Sequence, residues 1–382
     1  MPNYNHEVTI IGGGPAGSVT AIKLSELGFD VCLIEKKKFP RETLCGEFLS
    51  KEVILNLKQL GLYDEFISLN PNPINRFRLI NNDGKEISTK LNFTAFGLRR
   101  SVFDNFLISA AIRKGIKVIQ PAEVKMIKRE EDVFALYVKD NNAKEVIVKS
   151  KYVIAAYGKH NILDKSLKRN FANIKSSLNG VKFHFDSMLL NEFKKEEISI
   201  YLGNGIYCGV NAVDADKVTI CFLEKRKNKE ITSRENLLKF ISGNEKFNKI
   251  FKPGYKELIM SNPVWGTGDI FFGKRKAVEK GIFMIGDAAG VIAPITGDGM
   301  GMAFQSANII SQVLFDARCC NISTPHAEEI YQIRWDSLFK SRLQSSHIIQ
   351  SVIMRNYGRI LSMNFLCKFP QILPYFVSIT RG

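Results

Sequence analysis

One short stretch near the N-terminus, residues 8–35, limits the fold more than any other feature. Val8–Ile11 is a β-branched run that reads as a buried strand. Gly12-Gly13-Gly14-Pro15-Ala16-Gly17 follows at once, and helical spacing then runs from Ser18 to Leu27, where Gly28 stops it. Val31–Ile34 is a second buried strand, closed by Glu35. Strand, G-x-G-x-x-G, helix, strand and acid in this order form a unit that holds a dinucleotide. In it Gly12 permits a tight turn, Gly14 lets the backbone approach a diphosphate, and Gly17 lets helix and sheet pack closely. Pro15 and Ala16 open the helix, whose free N–H groups and positive dipole end face the ligand. Glu35 is placed to accept from a ribose hydroxyl, with Lys36 beside it.

With 382 residues the chain suits two domains, and 45% hydrophobic with 24% charged residues is an ordinary globular balance. The net charge of +16 carries no dense basic block with interleaved aromatics, so no nucleic-acid partner is expected. Seven cysteines, an odd number without a C-x-x-C pair, argue against a disulfide framework and a zinc site. No metal is expected, and a reducing cytoplasm is the simplest location. No apolar run reaches the ~18 residues that a membrane span needs. The nearest, Phe365–Ile379, is broken by Lys368, Pro370, Gln371 and Pro374. It could cover a substrate entrance, rest on the inner face of a membrane, or simply pack.

A second glycine-rich block chooses between dinucleotides. Gly281–Ile285 reads as a buried strand, followed by Gly286-Asp287-Ala288-Ala289-Gly290, then by Pro294 and Thr296-Gly297-Asp298-Gly299-Met300-Gly301, then by a helix over Met302–Phe315. This resembles the Gly-Asp motif of the superfamily of FAD-dependent aromatic hydroxylases, geranylgeranyl reductases and flavin halogenases. The resemblance implies FAD, with Gly286 and Asp287 at the ribityl chain and Pro294, Gly297, Gly299 and Met300 along the flavin ring. Phe39-Pro40-Arg41-Glu42 and Cys45-Gly46-Glu47-Phe48-Leu49-Ser50 resemble the FPR…CG…S segment of the reductase branch, and Arg100-Ser101-Val102-Phe103-Asp104 its R-x-x-F-D helix start. By that likeness Arg41 lies near the phosphates or adenosine, Cys45 to Ser50 near the ring, and Arg100 on FAD. The likeness spans roughly residues 6–315 and is thin between Asn161 and Asn262.

Two positions depart from the family. Tyr157-Gly158 stands where hydroxylases carry Asp-Gly, and Gly205–Asn211 lacks the Trp and Pro of the aromatic substrate segment. The W-x-W-x-I-P pattern of halogenases is absent as well.

The expected fold is α/β with an α+β substrate layer: a Rossmann-type FAD-binding fold like those of glutathione reductase and p-hydroxybenzoate hydroxylase. It is interleaved with an antiparallel substrate sheet and followed by a helical C-terminal segment. Residues 1–75, 97–175 and 263–325 would form the FAD domain, 76–96 and 176–262 the substrate sheet, and 326–382 the helical end. Ile74–Leu91 reads as a hairpin turning at Asn82-Asp83-Gly84. Phe48, His184 and Tyr207 are the candidate substrate contacts, although His184 in an apolar strand is more often a core residue. Tyr331 and Trp335 read as core.

FAD would carry the hard chemistry, with NAD(P)H as its reductant. Two outcomes stay open. The first is monooxygenation of a hydrophobic, aromatic or polyketide-like molecule; the alternative is reduction of a carbon–carbon double bond in a lipid or prenyl chain. Halogenation and flavin binding without turnover rank lower. No residue is singled out as catalytic acid or base.

Overall fold

Val8 and Ile10 are fully buried, and the strand that carries them (β1, Asn3–Ile11) runs inside a mixed sheet. The computed structural model describes residues 3–142, 144–191, 193–226 and 230–379. On one side β1 pairs in parallel with β2 (Val31–Ile34), and β2 with β6 (Lys117–Ile119). On the other it pairs in parallel with β9 (Glu145–Ala155), and β9 with β17 (Ile282–Met284). β16 (Val278–Glu279) closes that edge in antiparallel sense. The first half of β9 also joins an antiparallel meander with β7 (Ala122–Glu130) and β8 (Val133–Asp140).

α1 (Pro15–Glu26) buries every residue from Pro15 to Ile22. A helix enclosed on all sides needs apolar residues all round rather than one stripe. It is wedged between the sheet, α4 (Arg100–Arg113) and α9 (Gly299–Cys319). α2 (Lys51–Gln59) and α3 (Tyr63–Ser68) extend the same core, while α5 (Ile162–Ser166) packs near β7.

The second sheet runs in the order β14 (Trp265–Thr267), β10 (Leu178–Asp186), β13 (Lys217–Lys225), β12 (Ile206–Ala212), β11 (Glu197–Gly203), β4 (Asn72–Asn81), β5 (Glu86–Gly97) and β3 (Phe48–Leu49). All neighbours are antiparallel except β4 and β11. The β4–β5 hairpin turns at Gly84, whose φ of +82° explains the Asn-Asp-Gly sequence. Along β10 the side chains alternate: Val181, Phe183 and Phe185 pack under α6 (Ser233–Ser242), α7 (Glu245–Lys249) and α8 (Tyr255–Ser261). Lys182 and His184 point to the other face, as a period of two requires.

This sheet reaches beyond the expected residues 76–96 and 176–262. Asn72–Asn75, Phe48–Leu49 and Trp265–Thr267 also belong to it, because the free edges of β5 and β10 each take a short extra strand. A two-stranded ladder, β15 (Gly273–Lys274) with β18 (Gly290–Val291), lies near the chain's return to the first sheet.

The tail forms α10 (Thr324–Ile353), α11 (Asn356–Lys368) and α12 (Leu373–Ile379). Tyr331, Trp335, Phe339 and Leu343 are buried in the core at helical spacing. Among the described residues no helix is long and apolar enough to cross a membrane.

Candidate active site

A cavity of about 760 Å³ opens between the C-terminal ends of the parallel strands and the inner face of the second sheet. That size fits the range of roughly 300–1,000 Å³ typical of small-ligand sites.

The glycines of the first turn are required for different reasons. Gly12 has φ +109°, and a Cβ there would stand 2.5 Å from the Ala156 carbonyl oxygen. A Cβ on Gly17 would stand 1.9 Å from the Gly12 carbonyl oxygen, so α1 could not approach the turn. Gly14 is unlike both: a Cβ would meet only Arg41 Nη2, at 3.7 Å. The protein itself leaves that space, which lies on the cavity beside the start of α1. An empty cradle of backbone at a helix N-terminus, with a guanidinium above it, fits the diphosphate of FAD. Gly46 has the same openness, with nothing within 4 Å of its missing Cβ.

Glu35, at the end of β2, is buried and accepts from Gly13 N at 2.7 Å and Lys37 N at 2.8 Å. Those bonds fix its carboxylate at the cavity edge, where Lys36 also lies. Arg100 donates twice to Asp104, at 2.7 and 2.8 Å, and Arg41 Nη1 lies 3.5 Å from the same carboxylate. Burial works against the Arg100 charge, but Asp104 outweighs it and holds the guanidinium pKa above its usual value. Asp287 pairs with Lys159 at 2.9 Å. Lys159 sits two residues beyond Tyr157, where the family's acid is missing; the Tyr157 hydroxyl donates instead to Asp164, at 2.8 Å.

The residues expected at FAD gather here: Gly12, Gly14, Pro15, Ala16, Glu35, Lys36, Arg41, Cys45, Gly46, Arg100, Gly286, Asp287, Pro294, Gly297, Gly299 and Met300 all line the cavity. Phe48 and Tyr207 line it as well. Gly17 does not, because it faces the Gly12 turn from beneath. His184 is not on the lining either; its ring nitrogen turns to a buried carboxylate.

That carboxylate is Glu47, which the resemblance set near the ring with its segment but gave no role. It is fully buried, with a left-handed φ of 58° that a non-glycine residue seldom adopts. His184 Nε2 lies 2.6 Å from its Oε2, and Lys182 Nζ donates to its Oε1 at 2.7 Å. The Arg100 backbone N–H donates to Oε1 at 2.9 Å. Lys182, itself fully buried, also donates to Glu42 at 2.7 Å. Burial pushes the Glu47 carboxyl up, but His184 and Lys182 prevail and hold it below the usual carboxylate range. For Lys182, burial pushes the other way and Glu47 with Glu42 outweighs it, leaving the ammonium above its ordinary pKa. Glu42, Glu47 and His184 have ligand atoms within 4.8 Å of one another. The Lys182 ammonium already serves both carboxylates, occupying the place a metal cation would take. The readable signal was Lys182 alternating with Val181 and Phe183, a charge where an apolar strand should face inward.

Beyond this network the wall is mainly apolar: Ile198, Ile200, Leu223, Trp265 and Ile270 line the cavity with Tyr207, and Asn211 and Thr267 add polar groups. The Tyr207 hydroxyl donates to Gln350 Oε1 at 3.1 Å. Burial pushes the Cys221 thiol in the same wall up to about 12, so it serves as a small apolar filler there.

A dinucleotide cradle opening on an apolar chamber defines an FAD-dependent oxidoreductase, and the comparisons with known proteins agree. The chain belongs to the FAD binding domain family, whose model matches residues 5–240. The squalene epoxidase family model matches residues 149–352. A digeranylgeranylglycerophospholipid reductase of Methanococcus vannielii is 26% identical, over 97% of each chain. Among solved structures, a geranylgeranyl bacteriochlorophyll reductase-like protein of Thermoplasma acidophilum superimposes with a TM-score of 0.76 at 21% identity, covering 98% of this chain and 92% of that one. A myxobacterial chondrochloren halogenase reaches a TM-score of 0.79 at 18% identity, over 92% and 84% of the two chains. The superfamily and the cofactor expected from the motifs are thus the right ones.

Proposed function

We propose that this enzyme reduces carbon–carbon double bonds in a long unsaturated lipid chain of isoprenoid type, with NAD(P)H as the source of reducing equivalents. Sequence reasoning placed monooxygenation first; the reductase reading now takes precedence. The carrying observation is the apolar wall of Ile198, Ile200, Leu223, Trp265 and Ile270, continuous with the FAD cradle in one chamber. Its support is the likeness to a phospholipid-chain reductase over nearly the whole of both chains.

FAD, when bound, supplies the hydride chemistry. The residues of this chain do the rest. The α1 N-terminus, Gly14 and Arg41 would bind the diphosphate, Glu35 the adenosine ribose, and Asp287 the ribityl chain. The apolar wall would exclude water and align an alkyl chain. Saturating one double bond consumes a hydride and a proton, so a proton must reach the mainly apolar substrate side of the chamber. Glu42 and Glu47 are the carboxylates beside that wall, and the proton would come from the groups that hold them, Lys182 and His184, rather than from the ionised Glu47. The site of action would be the cytoplasm, at the inner surface of a membrane where such lipids reside.

The match to the squalene epoxidase family favours a second reading, oxygen insertion into a similar apolar chain. Anaerobic incubation of the reduced enzyme with an unsaturated isoprenoid lipid separates the two. A product that has gained two hydrogens without oxygen supports reduction. A product formed only in air and carrying labelled oxygen atoms would replace it with monooxygenation.

A further inference from the structure

The last two helices leave an apolar face uncovered. α11 buries Arg359, Met363 and Leu366 on one side. On the other, Tyr357, Leu361 and Phe365 recur every four residues and are 83%, 67% and 47% exposed. Tyr375 and Phe376 of α12 are exposed too, and the Phe365 ring lies 5.2 Å from that of Phe369. A helix apolar on two opposite faces has a second surface to cover, and a contiguous exposed patch of this kind marks an interaction site.

Charge says what covers it. From Ser337 to the C-terminus the sequence contains no Asp or Glu, although 38 of the 382 residues are acidic. The same stretch contains Lys340, Arg342, Arg355, Arg359, Lys368 and Arg381. Arg355 and Lys368 are exposed at the two ends of α11. Lys85, exposed on the hairpin beneath, reaches Asn364 of α11 at 2.5 Å. Of the neighbouring acids, Glu86 is held by Arg78 and Lys246, and Asp83 stands at the hairpin turn beside Arg359. Aromatic rings and leucine bordered by lysine and arginine match the boundary of an anionic bilayer, where rings sit among headgroups and cations meet phosphate. The same chemistry, rings and leucine between cations, repeats along one helix, as a bilayer boundary requires.

We propose that the outer face of α11 and α12 docks on a bilayer containing anionic phospholipids. The inner face places the site close behind. Met363, Leu366 and Leu373 share one apolar cluster with Ile200, Tyr207, Leu223, Ile270 and Val291, all of which line the cavity. A docked membrane would therefore lie about one helix diameter, ~10 Å, from the chamber. This surface is read from the two helices and the hairpin beside them and holds whether the enzyme reduces or oxygenates its substrate.

The test is flotation of the full FAD-loaded protein with phosphatidylcholine vesicles, alone or mixed with phosphatidylglycerol. Binding is expected to the mixed vesicles and to weaken with salt. Arg355→Glu and Lys368→Glu should each weaken it by about fivefold. The double variant Leu361→Glu/Phe365→Glu should weaken it by about tenfold or more, with FAD content unchanged. Retained FAD shows that a variant is folded, and the two charge variants test the face without touching its apolar stripe. Failure of the wild type to float, equal binding to neutral vesicles, or indifference to all these substitutions would overturn the proposal. So would a dimer that forms without lipid and is lost in the same double variant, since a second copy would then be the occupant.

Discussion

Asp104 and Glu47 are both fully buried carboxylates, one behind the cavity's arginines and one on its lining, yet they are held in opposite ways. Asp104 takes its main partner from its own helix: Arg100 is four residues earlier and bonds it twice. Glu47 takes Lys182 and His184 from β10, 135 and 137 residues away. The first pair forms whenever α4 forms. The second exists only when the segment carrying Glu42 and Glu47 has docked on the finished second sheet. Local pairs are the motif a sequence displays, while the distant network records how two parts of the chain are joined.

Substitutions can break or sharpen that contrast. Lys182→Met strands Glu47 without its ammonium, and the expected cost is about 3–5 kcal/mol, read from urea unfolding. Adding Glu47→Gln should recover much of it; a single-variant loss below about 1 kcal/mol would mean the network is not a buried pair at all. Gly17→Ala attacks the local side instead. Its Cβ has no room against the Gly12 carbonyl oxygen, so about 1–3 kcal/mol should be lost together with FAD.

Acid should bear on the distant network selectively. Glu47 is held below its unfolded pKa of about 4.3, so its contribution is complete above that value and disappears as pH falls through the lower folded one. Unfolding midpoints measured down the acid range should fall more steeply for the wild type than for Glu47→Gln. Tyr207→Phe removes one bond to Gln350 and should cost about 1 kcal/mol in the same assay. The smallest stability effect belongs to Gly14→Ala, within about 0.5 kcal/mol of wild type. Its FAD affinity should nonetheless drop, measured by fluorescence titration of the apoprotein, since only the ligand needs that space.

The first unit was legible because each rule acts within a few residues. Buried strand, glycine turn, helix and Glu35 lie within residues 8–35, and the structure places them as expected. The β4–β5 hairpin was legible through its turn. β12 was not, because Gly209 and Asn211 interrupt its apolar residues, even though its two partners β11 and β13 flank it in sequence. His184 drew notice by residue type alone, whereas Lys182 and Glu47 did not, since neither has a local partner that would betray burial. The short strand Trp265–Thr267 escaped for the same reason: its pairing is with β10 and nothing near it in sequence demands a strand.

The 30-residue helix α10 spans roughly 45 Å and touches both sheets. Near its start Tyr331 donates to the Met284 carbonyl and Gln332 accepts from Ala277 and Val278, at the edge of the first sheet. Midway Arg342 pairs with Asp298 at the start of α9, and toward its end Gln350 receives Tyr207 from the second sheet. One stiff rod thus splints both walls of the chamber. Opening the walls like a clamshell would require bending it or breaking a buried bond at one end. Substrate traffic through this enzyme should therefore rely on side chains and the short terminal helices swinging aside, with the two sheets staying in fixed register throughout turnover.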